Sequence, residues 1–302
     1  MPVLIRRALA DLRAPRYPVA SQASPDPEAA YPLDMAAVTG AFRPGAGGVV
    51  MTTGPGARRY HNPVSVSLFA LGQHACIRPP GEAASAWAAF LTHARYLRAS
   101  QDPAGGWRYP VPVPRYQLAP GWYSAMAQGL AASVLLRAAG LTGEASYQDA
   151  ASGAVGLLLT SLEAGGCSDY DPQGRPFPEE CPARPPAHIL NGAMFALIGV
   201  AEYETARGGA ACLPMIQRLA GCLPAYDLGY WSRYDLRFRA PATLAYHSLH
   251  ISLLRLAGQF FPGHGFSAFA ERWAAQRRRP GGRLRAAAGK AAFVLRERNA
   301  GD

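Results

Sequence analysis

The 302-residue chain has no apolar run as long as the roughly 20 residues that a helix needs to cross a bilayer. Its N-terminus carries an arginine pair that no sustained apolar stretch follows, so no secretory signal is expected and the cytoplasm is the predicted compartment. Charged residues make up only 17% of the chain and hydrophobic residues 49%. This balance is typical of a globular protein and excludes disorder of the bulk of the chain.

Cysteine is scarce as well. The five cysteines are an odd number and include no Cys-x-x-Cys pair, which argues against a disulfide framework and a zinc site. The glycine-rich stretch GPGARR (residues 54–59) lacks the Gly-Lys-Ser/Thr ending and the preceding strand of a phosphate-binding loop. We therefore predict no metal and no phosphate-loop nucleotide site.

Positive charge is abundant but uneven. The net charge is +10, and residues 271–302 contribute +6 of it through the basic segment RRRPGGRLRAAAGK. Such a segment suits an anionic membrane surface, nucleic acid or a polyanionic glycan, whereas its simplest interpretation is a solvated, partly disordered tail. We predict no nucleic-acid partner and keep peripheral membrane contact through this tail as an expectation.

The spacing of apolar residues predicts an all-α fold with three segments: an arm at 1–60, a helical domain at 61–270 and the basic tail at 271–302. The glycine-dense stretch near residue 50 predicts irregular structure with one short hairpin. Helix-loop-helix units in succession indicate antiparallel helical pairs stacked side by side. The predicted helices are Ser65–Ala75, Glu82–Ala99, Ser124–Ala139, Ala145–Leu162, His188–Ala206, Pro214–Leu223, Ala242–Gln259 and Phe266–Arg277.

Three long loops between these helices are rich in aromatic, arginine and acidic residues: Asp102–Trp122, Gly165–Pro186 and Asp227–Pro241. Functional groups cluster on loops that a rigid scaffold holds in place. Rings stack on the apolar faces of sugars, and guanidinium groups bind carboxylates through paired hydrogen bonds. The loops therefore suit an acidic sugar chain.

Several residues have two interpretations each. Tyr234 and Arg237 either face a ligand together, or Arg237 forms a surface ion pair with Asp235 while Tyr234 is half-buried. His247 and His250 have the spacing of metal ligands but lack a third one, so His247 is as well explained as a core residue.

Near the other loops the choice is similar. Glu180 is either a solvated carboxylate or a general base near apolar rings. Trp122 and Tyr123 either stack on a sugar or fasten the loop to the next helix, and Asn191 either contacts the ligand or caps a helix.

Several sequence blocks occur in one order: NPVSVSLFALGQH, ASQDPAGGW, PGWYSAMAQG, EECP…ILNG, ALIGVAEYETARG, LPAYDLGYWSRYDLR and YHSLHISLLRL. Together, over residues 60–258, they resemble the C-terminal helical domain of the D-glucuronyl C5-epimerases of heparosan and heparan sulfate. The resemblance implies an (α/α) toroid or incomplete barrel, an isomerase that converts D-glucuronate to L-iduronate within an acidic polysaccharide, and no cofactor. Larger relatives carry an upstream β-rich region and form dimers. We expect that region to be absent or much reduced here and leave a homodimer open.

The family motifs assign roles residue by residue. Glu180 of EECP, Tyr234 of YDLR and Tyr246 match the family's catalytic carboxylate and two tyrosines. Arg237 matches a ligand of the substrate carboxylate and Asn191 a sugar-contacting amide. The family usually has tyrosine where this chain has Cys181. Trp122, Tyr123, Arg233 and His247 complete the expected substrate-binding set.

The chemistry explains why such residues are needed. The C5 hydrogen lies next to a carboxylate, so its removal creates a dianion that Arg237 would neutralise. Inversion requires groups on both ring faces, and we expect Glu180 and Tyr246 to face each other across C5. Tyr234 would support one of them, and Arg237 and Arg233 would supply the positive field that a phenolic base requires. A polysaccharide lyase that uses the same proton abstraction, and a non-catalytic glycan-binding module, are the alternatives.

Overall fold

A computed structural model describes residues 17–34, 40, 42–45, 47–77 and 83–299. Residues 1–16, 35–39, 41 and 46 of the expected arm at 1–60 lie outside this part of the chain. Nine helices occur among the described residues: α1 Pro63–Cys76, α2 Ala83–Ser100, α3 Ala125–Thr142, α4 Ala145–Leu159, α5 Leu190–Arg207, α6 Cys212–Tyr226, α7 Leu244–Phe260, α8 Phe266–Arg278 and α9 Pro280–Asn299. Two short antiparallel hairpins accompany them: β1 Thr52–Thr53 with β2 Arg59–Tyr60, and β3 Ser168–Tyr170 with β4 Pro176–Pro178. The predicted all-α class with a short N-terminal hairpin is confirmed.

Consecutive helices pack in pairs, α1 with α2, α3 with α4 and α7 with α8. Local signals in the sequence set where the helices begin. Asn62 caps α1 by accepting a hydrogen bond from the Val64 amide (3.0 Å), and Ser124 and Thr243 cap α3 and α7 in the same way. The Thr243 cap places Tyr246 in the first turn of α7.

Helix α3 forms the centre of the core, and its main partner is α5. The two backbones approach so closely that a Cβ at Gly199 would lie 2.2 Å from the Gly129 carbonyl oxygen. A fully buried, bidentate ion pair between Arg137 and Glu202 also joins these helices (2.9 and 2.7 Å). Among the described residues, α3 alone is long and apolar enough to cross a membrane, and 83% of it is buried inside the fold. Its apolarity is that of a core helix.

The structure differs from the prediction at the C-terminus. The described part of the basic tail, residues 271–299, is helical: it completes α8 and forms α9, which packs on the loop between α6 and α7. Ala286 contacts Trp231, and the Arg285 guanidinium lies 4.1 Å from the Tyr230 ring. Helix α8 also runs across the predicted boundary at residue 270.

The start of α5 differs as well. His188 was predicted to be helical, but its φ is +50° and its amide donates to the Glu179 carboxylate (3.0 Å). The helix begins at Leu190, with Ile189 as its N-cap. Asn191 therefore lies inside the first turn, and its side chain is not the cap.

Candidate active site

Hairpin β3–β4 carries two adjacent carboxylates to the first turns of α3 and α5. Glu179 is anchored on both sides: its amide donates to the Cys167 carbonyl (2.7 Å), and its carbonyl accepts from the Ala125 amide (2.9 Å). Its buried carboxylate accepts hydrogen bonds from the amides of Ala187 (3.2 Å) and His188 (3.0 Å). Glu179 thus fastens the backbone on both sides of Glu180.

Glu180 is directed to the first turn of α5. Its carboxylate accepts a hydrogen bond from the Asn191 side-chain amide (3.0 Å). Burial raises the pKa of Glu180 to about 7, although Asn191 and the nearby Tyr234 phenol favour its ionised form. A carboxyl group with this pKa can take up or release a proton near neutrality.

The two tyrosines expected at the site lie beside Glu180. The rings of Tyr234 and Tyr246 are 4.8 Å apart between centroids and meet edge to face at 63°. The Tyr234 phenol lies near enough to both Tyr246 and Glu180 to lower the pKa of each. Tyr246 keeps 38% of its surface exposed, so the chain of three groups runs from the interior to the surface.

Backbone contacts hold Tyr234 against α5. Its carbonyl accepts a hydrogen bond from the Leu190 amide (3.3 Å), and its amide donates to the Ala240 carbonyl (3.0 Å). Ile189 and Asp235 also form an antiparallel bridge. The loop after α6 and the start of α5 are therefore one unit, and this unit brings Tyr234 to Glu180.

Both phenols resist ionisation. Burial, together with the nearby Glu180 carboxylate, raises the pKa of Tyr234 well above its ordinary value and that of Tyr246 to about 12. A positive field from Arg237 and Arg233 would lower these pKa values, whereas both are raised. Both phenols are therefore suited to donate protons rather than to accept them.

The arginines expected to bind substrate have other contacts. Arg237 donates from Nη1 to the Pro185 carbonyl (2.9 Å), and its guanidinium lies 5.3 Å from the Phe238 ring. The Nε of Arg233 is buried without a hydrogen-bond partner, and the Arg233 amide donates to the Tyr226 carbonyl (2.8 Å). Neither arginine has an ion pair with Glu180.

Trp122 and Tyr123 hold their own loop in place. The Trp122 ring stacks on Tyr109 (4.0 Å) and its indole N–H donates to the Val111 carbonyl (2.9 Å). Tyr123 is 5% exposed and its hydroxyl donates to Asp102 (2.5 Å). Of the two interpretations of this pair, the structure favours fastening of the loop to the helix.

His247 is not available to a substrate, which corrects the expectation for this residue. It is fully buried and its ring stacks on Trp231 at 3.7 Å. Its Nδ1 contacts the Ser232 hydroxyl (2.8 Å), and its Nε2 contacts the Trp273 carbonyl (3.2 Å). Burial lowers the pKa of His247 to about 3, so it is a neutral core residue.

Asp235 does not form the surface ion pair with Arg237 that one interpretation of the sequence gave it. Asp235 is fully buried and accepts hydrogen bonds from the Tyr116 phenol (3.2 Å) and the Phe238 amide (2.6 Å). Arg115 lies 3.7 Å from Asp235, and its charge partly offsets the burial that raises the pKa of Cys181, the residue after Glu180. The composition of the loop at 102–122 signalled a ligand-facing segment, but it did not single out Arg115.

The scaffold and site define a class. Helical pairs hold the loops that bring one carboxyl with a pKa of about 7 to two adjacent phenols, and the described residues hold no group of three or more His, Cys, Asp or Glu side chains for a metal. A carboxyl and two phenols in this arrangement are suited to proton transfer. Residues 101–275 match the family described as D-glucuronyl C5-epimerase C-terminus, and the chain belongs to that family.

Two curated relatives give the scale of the similarity. The chain is 31% identical to a D-glucuronyl C5-epimerase of Caenorhabditis elegans over 211 residues, which are 61% of this chain and 34% of the relative. It is 30% identical over 137 residues to an uncharacterized protein of Methanocaldococcus jannaschii, covering 43% of this chain and 44% of the relative. The chain thus spans between a third and a half of the length of these relatives.

Proposed function

We propose that the chain inverts C5 of D-glucuronate to L-iduronate within a uronate-containing, heparosan-like polysaccharide. The observation that carries this proposal is the Glu180–Tyr234–Tyr246 chain, in which a carboxyl with a pKa of about 7 is linked through one phenol to a second one. Family membership and the activity in the name of the worm relative support the same reaction.

In the first step the Glu180 carboxylate removes the C5 proton from one face of the sugar ring. The electrons of the C–H bond move into the substrate carboxylate, which becomes a dianionic enolate. Arg237 neutralises it in our proposal, and Arg115 is a second candidate because its guanidinium also lies over the Phe238 ring (4.7 Å).

In the second step the Tyr246 phenol donates its proton to C5 from the other face, which yields the inverted centre. Glu180 is then protonated and Tyr246 is a phenolate. A proton that passes from Glu180 through the Tyr234 hydroxyl to Tyr246 restores both groups, and Tyr234 lies beside each of them. In this proposal Tyr234 resets the site between turnovers.

The test is proton NMR of heparosan incubated with the protein in deuterated water. We expect loss of the glucuronate H5 signal and growth of iduronate signals. Absorbance of an unsaturated uronate without inversion would replace the proposal with a lyase, which expels the 4-O substituent after the same proton abstraction. Binding of heparosan without any deuterium at C5 would show that the protein is a non-catalytic glycan-binding module.

A further inference from the structure

An arginine-lined cleft of about 370 Å³ opens where α7, α8 and α9 meet. Cavities of this size are within the range of small-ligand sites. The residues that line it are Ile251, Ala274, Arg255, Arg277, Arg278 and Arg283. Four cationic side chains thus surround a patch of apolar wall.

The positive charge of this cleft is only partly neutralised by the protein. Arg255 forms an ion pair with Glu271 (3.0 Å from Nε and 2.9 Å from Nη2). Within the described part of the chain, Arg278 and Arg283 form no ion pair, and both are exposed. The cleft therefore has unused capacity for an anion.

The composition of the cleft narrows the class of ligand. Guanidinium groups bind carboxylates and related oxyanions through paired hydrogen bonds. Ile251 and Ala274 add an apolar surface of the kind that packs against a sugar face. A concave site with both features suits a sugar chain with carboxylates better than it suits a flat membrane surface.

The position of the cleft relates it to the candidate active site. Arg255 lies on the same helix as Tyr246 and nine residues after it, about 14 Å along the helix axis. Nine residues are two and a half turns, so the two side chains leave opposite faces of the helix. A polysaccharide that contacts both must pass around the helix and needs several sugar units. Ile251, Arg255 and Ala274 lie inside the family match, whereas Arg277, Arg278 and Arg283 follow residue 275, where it ends. The cleft therefore extends beyond the matched region.

We infer that this cleft binds the carboxylates of the acidic polysaccharide at sugars outside the one that reacts, an inference that rests on the proposed function. The test compares the full chain with the double variant R278Q/R283Q in calorimetric titrations with heparosan at low and at physiological salt. The matched control is R95Q/R207Q, which removes two exposed arginine charges from α2 and α5. Melting temperatures establish that all three proteins are folded.

The expected result is a dissociation constant about five-fold weaker for R278Q/R283Q, with a smaller dependence on salt, and no such change in the control. Equal affinity of R278Q/R283Q and the wild type would overturn the inference. If R278Q/R283Q loses binding to vesicles of anionic phospholipid but binds heparosan like the wild type, the cleft is a membrane contact and the inference is overturned. If heparosan binding depends on these arginines but the wild type exchanges no deuterium into C5, the proposed function is refuted while the cleft remains a glycan-binding site.

Discussion

The side chain of Glu180 packs directly on the backbone of Gly192, so closely that a Cβ at residue 192 would lie 2.4 Å from the Glu180 Cβ and 2.6 Å from its Oε2. The neighbouring Asn191 donates to the same carboxylate. The first turn of α5 therefore positions the Glu180 carboxyl: Asn191 supplies a hydrogen bond, and Gly192 leaves room for the side chain.

The Gly192→Ala substitution tests whether this contact positions Glu180. We expect the new methyl group to displace Glu180, to reduce iduronate formation at least ten-fold and to destabilise the protein by about 1–3 kcal/mol. Gly156→Ala is the matched control, because a Cβ there meets no atom within 4 Å and alanine favours the helix. Activity and denaturant unfolding are measured for both. Full activity of Gly192→Ala would show that Glu180 does not depend on this contact.

The raised pKa of Glu180 predicts that the folded protein becomes less stable as its carboxyl ionises. A carboxyl whose pKa rises from 4.5 to about 7 on folding binds its proton more tightly in the folded state, so stability falls as pH rises between these values. The Glu180→Gln variant cannot ionise. We expect it to melt about 3 °C or more above the wild type at pH 8, with no difference at pH 4, and to be inactive. Equal melting temperatures at pH 8 would contradict the prediction that the ionised Glu180 carboxylate destabilises the folded protein.

Helix α9 packs against the loop that contains Tyr234. Phe293 contacts Phe238 (6.4 Å between centroids), and the Arg115 guanidinium lies 4.6 Å from the Phe293 ring. We expect Phe293→Ala to lower iduronate formation several-fold while most of the thermal stability remains. Leu284→Ala, on the same helix but 73% exposed, is the control. Equal activity of the two variants would mean that α9 does not position the loop.

Tyr246 has the most specific role in the proposed reaction. Its raised pKa, about 12, keeps it protonated, which suits the donor of the second step. We expect Tyr246→Phe to bind heparosan like the wild type and to form iduronate at least about 100-fold more slowly. Calorimetry and NMR in deuterated water measure the two quantities. Iduronate formed at the wild-type rate, with deuterium at C5, would remove Tyr246 from the donor role.

The helices were predictable because their signals are local. Ser124 precedes the apolar run that becomes α3, and it caps that helix. The start of α5 was missed because His188 is held in its conformation by Glu179, nine residues earlier, and nothing near His188 in the sequence signals that contact.

The site was predictable only through the motifs of a family, since Glu180, Tyr234 and Tyr246 lie on different loops and helices. The contact between Arg115 and Asp235 was not predicted, because 120 positions separate the two residues and only the tertiary fold brings them together. The hydrogen bond from Asn191 to Glu180 was not predicted for the same reason, since Glu180 lies on another element.

The stereochemical fate of the C5 proton tests the two-face reaction most directly. Heparosan is incubated with the wild-type protein in deuterated water, and iduronate is analysed while conversion is still low. Glu180 takes the original proton, and the Tyr246 phenol is exposed enough to exchange its own proton with solvent before the next sugar reacts. The account therefore predicts that early iduronate carries deuterium at C5. Iduronate that retains its original hydrogen would show that one group removes and returns the proton, and would contradict the account.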